Sequence, residues 1–163
     1  MLLLATAKLP EGSNWLYEVK LDGFRTVAFK SNGHVYLRSR NDNDFAGRYP
    51  SVAQALKSLP DETVIDGEVV ALDEQGRPSF NILQNLGSSK APIVFYVFDV
   101  MVIGGRNVMR EPLTTRRELL EQEILPNLEE PIRSMPEFQV PLPQLITDYS
   151  NAFEDWKRTS ARL

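Results

Sequence analysis

The amino-acid sequence predicts an α+β fold in which antiparallel sheets are flanked by helices. Three observations support this prediction. Strand-like segments separated by turn dipeptides fill most of the first hundred residues, a long apolar segment follows them, and helical segments are interspersed without strict alternation. The chain has 163 residues, of which 42% are hydrophobic and 25% charged. This profile is typical of one globular domain with its own core.

The strand predictions rest on alternating side chains and on turn signals. The segments "WLYEVKL", "FRTVAFK" and "HVYLRSR" are predicted to form an antiparallel meander, with turns at Asp22-Gly23 and at "SNG". "TVIDGEVVALD" is predicted to be a second strand pair or one bulged strand. "APIVFYVFDVMVIGG", rich in β-branched and aromatic residues, is predicted to be a central strand buried on both faces.

Three segments have the spacing of helices. "YPSVAQALKSL" is predicted to begin at an N-cap formed by Ser51, and "SFNILQNL" to end at Gly87 as its C-cap. "PLTTRRELLEQEILPNL" predicts an amphipathic helix that is capped by Thr114 or Thr115 and ends at Pro126. Beyond it we expect a proline-rich loop, a last strand at "EFQV" and one more helix at "NAFEDWKRTSARL".

Composition excludes several classes of site. The net charge of −4 gives no argument for nucleic-acid binding by the chain as a whole, so such a surface would have to be local. The lack of cysteine excludes disulfides, thiolate zinc sites and cysteine nucleophiles, and a single histidine, His34, excludes a histidine-based metal cluster. The opening "MLLLATA" is too short to span a membrane and has no basic segment before it. We therefore expect a cytosolic protein without a membrane partner.

Lys20 is the first candidate for chemistry, because it stands between Glu18 and Asp22 just before a glycine. A lysine is a nucleophile only as the free amine, and its ordinary pKa is about 10.4. Burial or a nearby cation lowers that pKa, whereas flanking carboxylates raise it. Glu18 and Asp22 would therefore position Lys20, or hold a metal, rather than activate it. The alternative is a surface strand on which Lys20 pairs with one of these carboxylates.

Four motifs in the same order resemble those of one enzyme family. "KLDGFR" resembles the KxDGxR signature of the covalent nucleotidyltransferases, which are the ATP-dependent DNA ligases, the RNA ligases and the mRNA-capping enzymes. "YLRSRNDNDFAGRYP" is similar to the SRN segment of the DNA ligases, "VIDGEVVALD" to their DGE motif and "FYVFDVMVIGG" to their FxxFD strand. The resemblance covers roughly residues 1 to 147 and is strongest to the adenylation domain of the ligase D type or of related bacterial ATP-dependent DNA ligases. It implies an ATP-grasp-like nucleotidyltransferase fold.

The resemblance also implies roles for single residues. Lys20 would attack the α-phosphate of ATP and hold AMP as a phosphoramidate, and Glu18 would help to recognise the adenine edge. Arg25 and Arg40 would contact the ribose, the phosphates or the DNA 5′-phosphate, a task that suits the guanidinium fork. The alternative for both arginines is a solvated charge on a strand face.

The remaining implied ligands lie on two other motifs. Glu68 would bind the ribose hydroxyl or assist a metal, and Phe98 would stack on adenine. Their alternatives are a residue that merely flanks a turn and an ordinary core aromatic. Asp99 is expected to be a hydrogen-bonded carboxylate that supports the pocket. Magnesium is implied by the triphosphate, and together with Arg25 and the phosphates it would set the protonation of Lys20.

The family pattern is incomplete in this sequence. Its second glutamate motif, its KxK motif and its C-terminal OB-fold are not found, so residues 1–163 are interpreted as a partial adenylation domain, truncated before the last motifs. The function implied is the sealing of nicked DNA in repair, replication and recombination, but we expect this chain alone to bind ATP weakly or to adenylate Lys20 slowly. Two alternatives stay open: an RNA ligase or capping enzyme, and a noncatalytic nucleotide- or DNA-binding remnant.

Overall fold

A computed structural model of the chain describes residues 17–88 and 90–137, together with Pro10, Gly12, Trp15, Gln144 and Thr147. The chain divides into two compact units, one formed by Lys20–Met135 and the other by Met1–Val19 with Pro136–Leu163. All the helices and strands named below belong to the larger unit.

The larger unit is built on one six-stranded sheet. Its strands are β1 Phe24–Ser31, β2 His34–Ser39, β3 Thr63–Ala71, β4 Ile93–Ile103, β5 Arg106–Asn107 and β6 Ile132–Ser134. The order along the sheet is β2-β1-β3-β4-β5, and β6 pairs with β4. All neighbours are antiparallel except β4 and β6, which are parallel. The predicted α+β fold is confirmed, as one mixed sheet rather than a purely antiparallel one.

The β1–β2 hairpin forms where the sequence predicts it. Asn32 and Gly33 have φ angles of 50° and 76° at the turn, the left-handed pair that a two-residue hairpin requires. The prediction that "WLYEVKL" forms a strand of this meander is wrong. In the described part of this segment only Glu18 makes a β-bridge, with Glu137. Both edges of β1 are already paired, with β2 and β3, so a strand that precedes it has no place beside it.

Strands β3 and β4 form the centre of the sheet. β3 runs unbroken through Asp66-Gly67, so the segment is one strand and not a strand pair, but the bulge at this point, where the register shifts, has its extra residue on β4 and not on β3. β4 is paired on both sides, as expected of a central strand. The predicted burial on both faces is wrong, because Tyr96, Phe98 and Asp99 are only half-buried. These side chains lie on the face of the sheet that points away from the core.

Two of the helices start at or directly after a proline, without a hydroxyl side chain as a cap. Helix α1 is Pro50–Ala55, preceded by Tyr49, so Ser51 lies inside its first turn. Helix α3 is Leu113–Leu119, with Pro112 as the residue before it, so neither threonine caps it. A proline fixes φ near the helical value and has no N–H to be satisfied, which suits the start of a helix.

The helix ends also differ from the prediction. Helix α2 is Phe80–Gln84 and ends at Asn85, and Gly87 lies in the 3₁₀ turn Leu86–Ser88 that follows. Helix α3 continues as a π turn over Leu120–Ile124 and a 3₁₀ turn over Leu125–Asn127, which contains Pro126. Strand β6 occupies part of the segment that we expected to be a loop. Most of the predicted strand "EFQV" and the predicted last helix lie outside the described residues.

The core lies between one face of the sheet and the helices. Its fully buried members from the sheet and the helices include Ala28, Leu37, Val52, Leu56, Ile65, Val69, Leu83, Phe95, Val97, Val100 and Ile124. The opposite face of β1, β3 and β4 carries polar and aromatic side chains. In the described part of the chain, no helix has the length and the apolar character that crossing a membrane requires.

Candidate functional site

The residues of three motifs meet on the face of the sheet that points away from the core. The β1–β3 register pairs Arg25 with Glu68, and the β3–β4 register pairs Glu68 with Tyr96 and Asp66 with Asp99. Paired residues in a sheet share a face, and so do residues two apart on one strand. The sheet therefore gathers these side chains on one surface.

A β-bulge adds Phe98 to the same surface. Gly67 pairs with Val97 and Asp66 with Asp99, so Phe98 is an extra residue of β4 with no partner of its own on β3. Its ring lies 5.6 Å from the guanidinium carbon of Arg25, measured to the ring centroid. Bulges of this kind redirect a side chain locally, which explains why an aromatic of an apolar strand faces outward.

Arg25 is held against Asp66. Its Nε donates to Asp66 Oδ1 at 3.2 Å, and its Nη2 donates to Oδ2 of the same carboxylate. This hydrogen-bonded ion pair raises the pKa of the Arg25 guanidinium, and the negative charges of Glu68 and Asp99 act in the same direction. The sequence does not identify Asp66 as the partner of Arg25, although its Asp-Gly-Glu motif marks the segment as part of the site. The solvated-charge alternative for Arg25 does not describe this geometry.

Glu68 joins the two Asp-Gly segments. Its Oε1 accepts a hydrogen bond from the Gly23 N–H at 2.9 Å. Burial raises the pKa of the Glu68 carboxyl, while the Gly23 N–H and the charges of Arg25 and Lys20 act in the opposite direction. The strand segment that carries Glu68 is thus fastened to the segment that carries Lys20.

Both glycines of these segments are required by close packing. A Cβ atom built on Gly23 would lie 2.3 Å from the carbonyl oxygen of Val69, and one on Gly67 would lie 2.4 Å from that of Tyr96. Neither glycine has a left-handed φ angle. The two glycines therefore permit backbones to approach each other, and Asp22-Gly23 is a bend before β1 rather than a hairpin turn.

The other predicted site residues are placed less closely. Lys20 is exposed, three residues before Gly23 in the larger unit. Arg40 is exposed in the turn after β2, next to Ser39, the last residue of that strand paired with β1. Glu18 belongs to the smaller unit. The structure thus brings together Arg25, Glu68 and Phe98, and it shows no contact of Arg40 with them among the residues it describes.

The carboxylates of the site are mostly engaged by arginines. Asp66 is paired with Arg25, and Asp99 accepts two hydrogen bonds from Arg116, which confirms that it is a hydrogen-bonded carboxylate, while its support of the pocket stays a prediction. Within the described residues, no group of three or more aspartate, glutamate or histidine side chains is arranged to hold a metal ion. Glu68, with one oxygen on Gly23, offers a single further carboxylate oxygen.

The chain is similar to known proteins along most of its length. A family model described as ATP dependent DNA ligase domain matches residues 5–155. The chain is 37% identical over 134 residues to the multifunctional non-homologous end joining protein LigD of Pseudomonas aeruginosa, covering 80% of this chain and 16% of that protein. It is 33% identical over 140 residues to DNA ligase C1 of Mycolicibacterium smegmatis, covering 76% of this chain and 40% of that protein.

Solved structures give the same result. The structure of mycobacterial DNA ligase D complexed with ATP and MES superposes with a TM-score of 0.71 at 32% identity, covering 82% of this chain and 44% of that one. The ligase domain of LigD from M. tuberculosis gives a TM-score of 0.66, covering 80% and 42% of the two chains. The chain therefore spans less than half the length of these relatives. It belongs to the family of ATP-dependent DNA ligase domains and has the fold of their adenylation domains.

Proposed function

We propose that the chain is the part of an ATP-dependent DNA ligase that accepts AMP from ATP. Lys20 Nζ attacks the α-phosphorus, so that an N–P bond forms and the bond from that phosphorus to the bridging oxygen breaks. Pyrophosphate leaves, and the amine gives up a proton. The observation that carries the proposal is the 2.9 Å hydrogen bond from the Gly23 N–H to Glu68 Oε1. It couples the Lys20 segment to the surface that holds Arg25 and Phe98.

Each site residue is assigned to one part of the nucleotide. Phe98, half-buried and facing outward at a bulge, stacks on the adenine. Arg25 is oriented by its ion pair with Asp66 and directs its positive charge at ribose or phosphate oxygens. Glu68 accepts from a ribose hydroxyl with the oxygen that does not bind Gly23. Arg40 contacts a phosphate of ATP or the 5′-phosphate of DNA, and Glu18 reads the adenine edge.

The site offers few carboxylate ligands for magnesium. Mg²⁺ is commonly bound through one or two carboxylates together with substrate phosphates. Glu68 is the carboxylate that would hold it, since Asp66 and Asp99 are both engaged by arginines. When bound, the ion would neutralise charge on the triphosphate. The protein's own part is to orient the nucleotide and the Lys20 amine.

The wider role follows from the family. Residues 1–163 are proposed to be part of an adenylation domain, working on nicked duplex DNA or DNA ends in the cytoplasm. Similarity to LigD proteins supports a role in DNA repair. The acidic balance of the chain, with a net charge of −4, argues against tight DNA binding by this segment unaided, because such affinity comes mainly from neutralising phosphates.

Mass spectrometry of the intact protein after incubation with ATP and magnesium tests the proposal. We expect a gain of one AMP in the wild type and in Lys57→Ala, an exposed lysine on the turn after α1, and no gain in Lys20→Ala. No gain in the wild type at any ATP concentration would identify a noncatalytic remnant. A gain from GTP in place of ATP would identify a capping-type enzyme.

A further inference from the structure

An ion pair between helix α3 and strand β4 adjoins the candidate site. Arg116 Nε donates to Asp99 Oδ1 at 2.7 Å, and Nη2 donates to Oδ2 at 2.8 Å. Its third nitrogen, Nη1, donates to the Glu111 carbonyl oxygen at 2.7 Å. Such two-pronged contacts fix orientation as well as charge. The Arg116 guanidinium is therefore held at each of its nitrogens.

Asp99 is placed directly opposite a second carboxylate. It pairs with Asp66 across the β3–β4 ladder, and the two side chains are 17% and 8% exposed. Like charges at facing positions of neighbouring strands repel each other, and burial increases the cost. Each carboxylate has its own arginine, Arg116 for Asp99 and Arg25 for Asp66. Arg25 nevertheless lies within the electrostatic field of Asp99.

We propose that Arg116 is a positioning residue for the nucleotide site. By neutralising Asp99, it leaves Arg25 on Asp66 and over the ring of Phe98, where ATP requires it. This inference rests on the proposed function, because that function assigns Arg25 and Phe98 to the nucleotide. Without Arg116, both Asp66 and Asp99 attract the guanidinium of Arg25. The guanidinium then moves along the sheet, away from the Phe98 ring.

The first test measures the initial rate of AMP transfer to Lys20 against ATP concentration in the whole chain. For Arg116→Gln we expect the KM for ATP to rise about tenfold, the size of one lost charge-assisted hydrogen bond to the nucleotide, with a smaller change in maximal rate. Arg116→Lys keeps the charge and gives a smaller rise. The control Arg106→Gln removes an exposed Arg–Glu pair next to the same helical segment and leaves KM unchanged.

A double variant distinguishes the positioning of Arg25 from a simple attachment of α3 to β4. D99N/R116Q lacks both charges, so position 99 no longer competes with Asp66 for Arg25, and KM returns to within about twofold of the wild-type value. If the ion pair merely fastened α3 to β4, the double variant would be impaired as strongly as R116Q. That result, or an unchanged KM in R116Q with normal thermal melting, overturns the inference.

A second readout does not depend on AMP transfer. The Nε–H resonance of Arg25, assigned by its absence from Arg25→Lys, reports the surroundings of this guanidinium in ¹⁵N spectra. We expect it to shift in R116Q and to return in D99N/R116Q. Failure of the wild type to take up AMP would refute the proposed function alone. An Arg25 resonance that stays in place in R116Q would refute the positioning role, whether or not the protein is adenylated.

Discussion

Replacing Gly67 by alanine should destabilise the domain through backbone crowding. The added Cβ would lie 2.4 Å from the carbonyl oxygen of Tyr96 and 2.6 Å from a ring carbon of Phe95. The ring belongs to a fully buried side chain, and the oxygen belongs to the neighbouring strand of the ladder. Neither can turn aside. Ordinary contact begins at 3.4 Å, so β3 and β4 would have to separate locally by about 1 Å.

The magnitude follows from that displacement. Overpacking of a core position costs about 1–3 kcal/mol, and weakened ladder hydrogen bonds add roughly 1 kcal/mol. We expect Gly67→Ala to lower the free energy of unfolding by about 3 kcal/mol. For a chain of this size, each kcal/mol lowers Tm by about 2–4 °C, which gives a decrease of roughly 6–12 °C.

Urea and thermal unfolding, followed by circular dichroism, measure the effect. The matched control is Gly47→Ala, because a Cβ at Gly47 meets nothing within 4 Å and its φ is not left-handed. We expect the control to change stability by less than about 0.5 kcal/mol. A Gly67→Ala protein as stable as the control would refute the packing argument. The glycine of this motif would then have to be explained by contact with a ligand.

Two further predictions concern charge. Arg25→Gln leaves the carboxylate of Asp66, 8% exposed, without its cation, so we expect a loss of about 2–3 kcal/mol in urea unfolding, a value reduced because Arg25 itself is one-third exposed. The exposed pair of Arg77 with Asp73 is the control, and Arg77→Gln should cost less than about 1 kcal/mol. Burial raises the pKa of Glu68 above 4.5, so the folded state binds more protons just above that pH. The free energy of unfolding should therefore fall as the pH rises through the raised pKa of Glu68. In urea unfolding at a series of pH values, Glu68→Gln should show a smaller fall than the wild type.

Local signals made parts of the fold predictable. The β1–β2 hairpin was predictable because Asn32 and Gly33 accept the left-handed angles of the turn. The apolar stripe of the predicted amphipathic helix was predictable because Leu120 and Ile124 are spaced for one face, and both are buried in the π turn that continues α3. The first residues of the helices were not predictable. Hydroxyl residues near a proline resemble N-caps in the sequence, even where the helix already starts at the proline.

The site was predictable only in part. The motifs identified Arg25, Glu68 and Phe98, and the structure places them on one surface. The partners of the arginines were not predictable, because Asp66 and Arg116 lie 41 and 17 residues from the groups that they bind. Such pairings depend on strand register, and one extra residue in a bulge shifts the register without leaving a signal in the alternation of side chains.

The bulge at Phe98 has a consequence for insertions and deletions. Tyr96 and Asp99 are an odd number of residues apart and yet share a face of the sheet, because the unpaired residue between them offsets the alternation. Deleting Phe98 would leave Val97 opposite Gly67 and Asp99 opposite Asp66, so the alternation would become regular and no other side chain of β4 would change face. Deleting a paired residue away from the bulge would instead move the side chains on one side of the deletion to the opposite face of the sheet. The strand should therefore tolerate the loss of its extra residue better than the loss of a paired one.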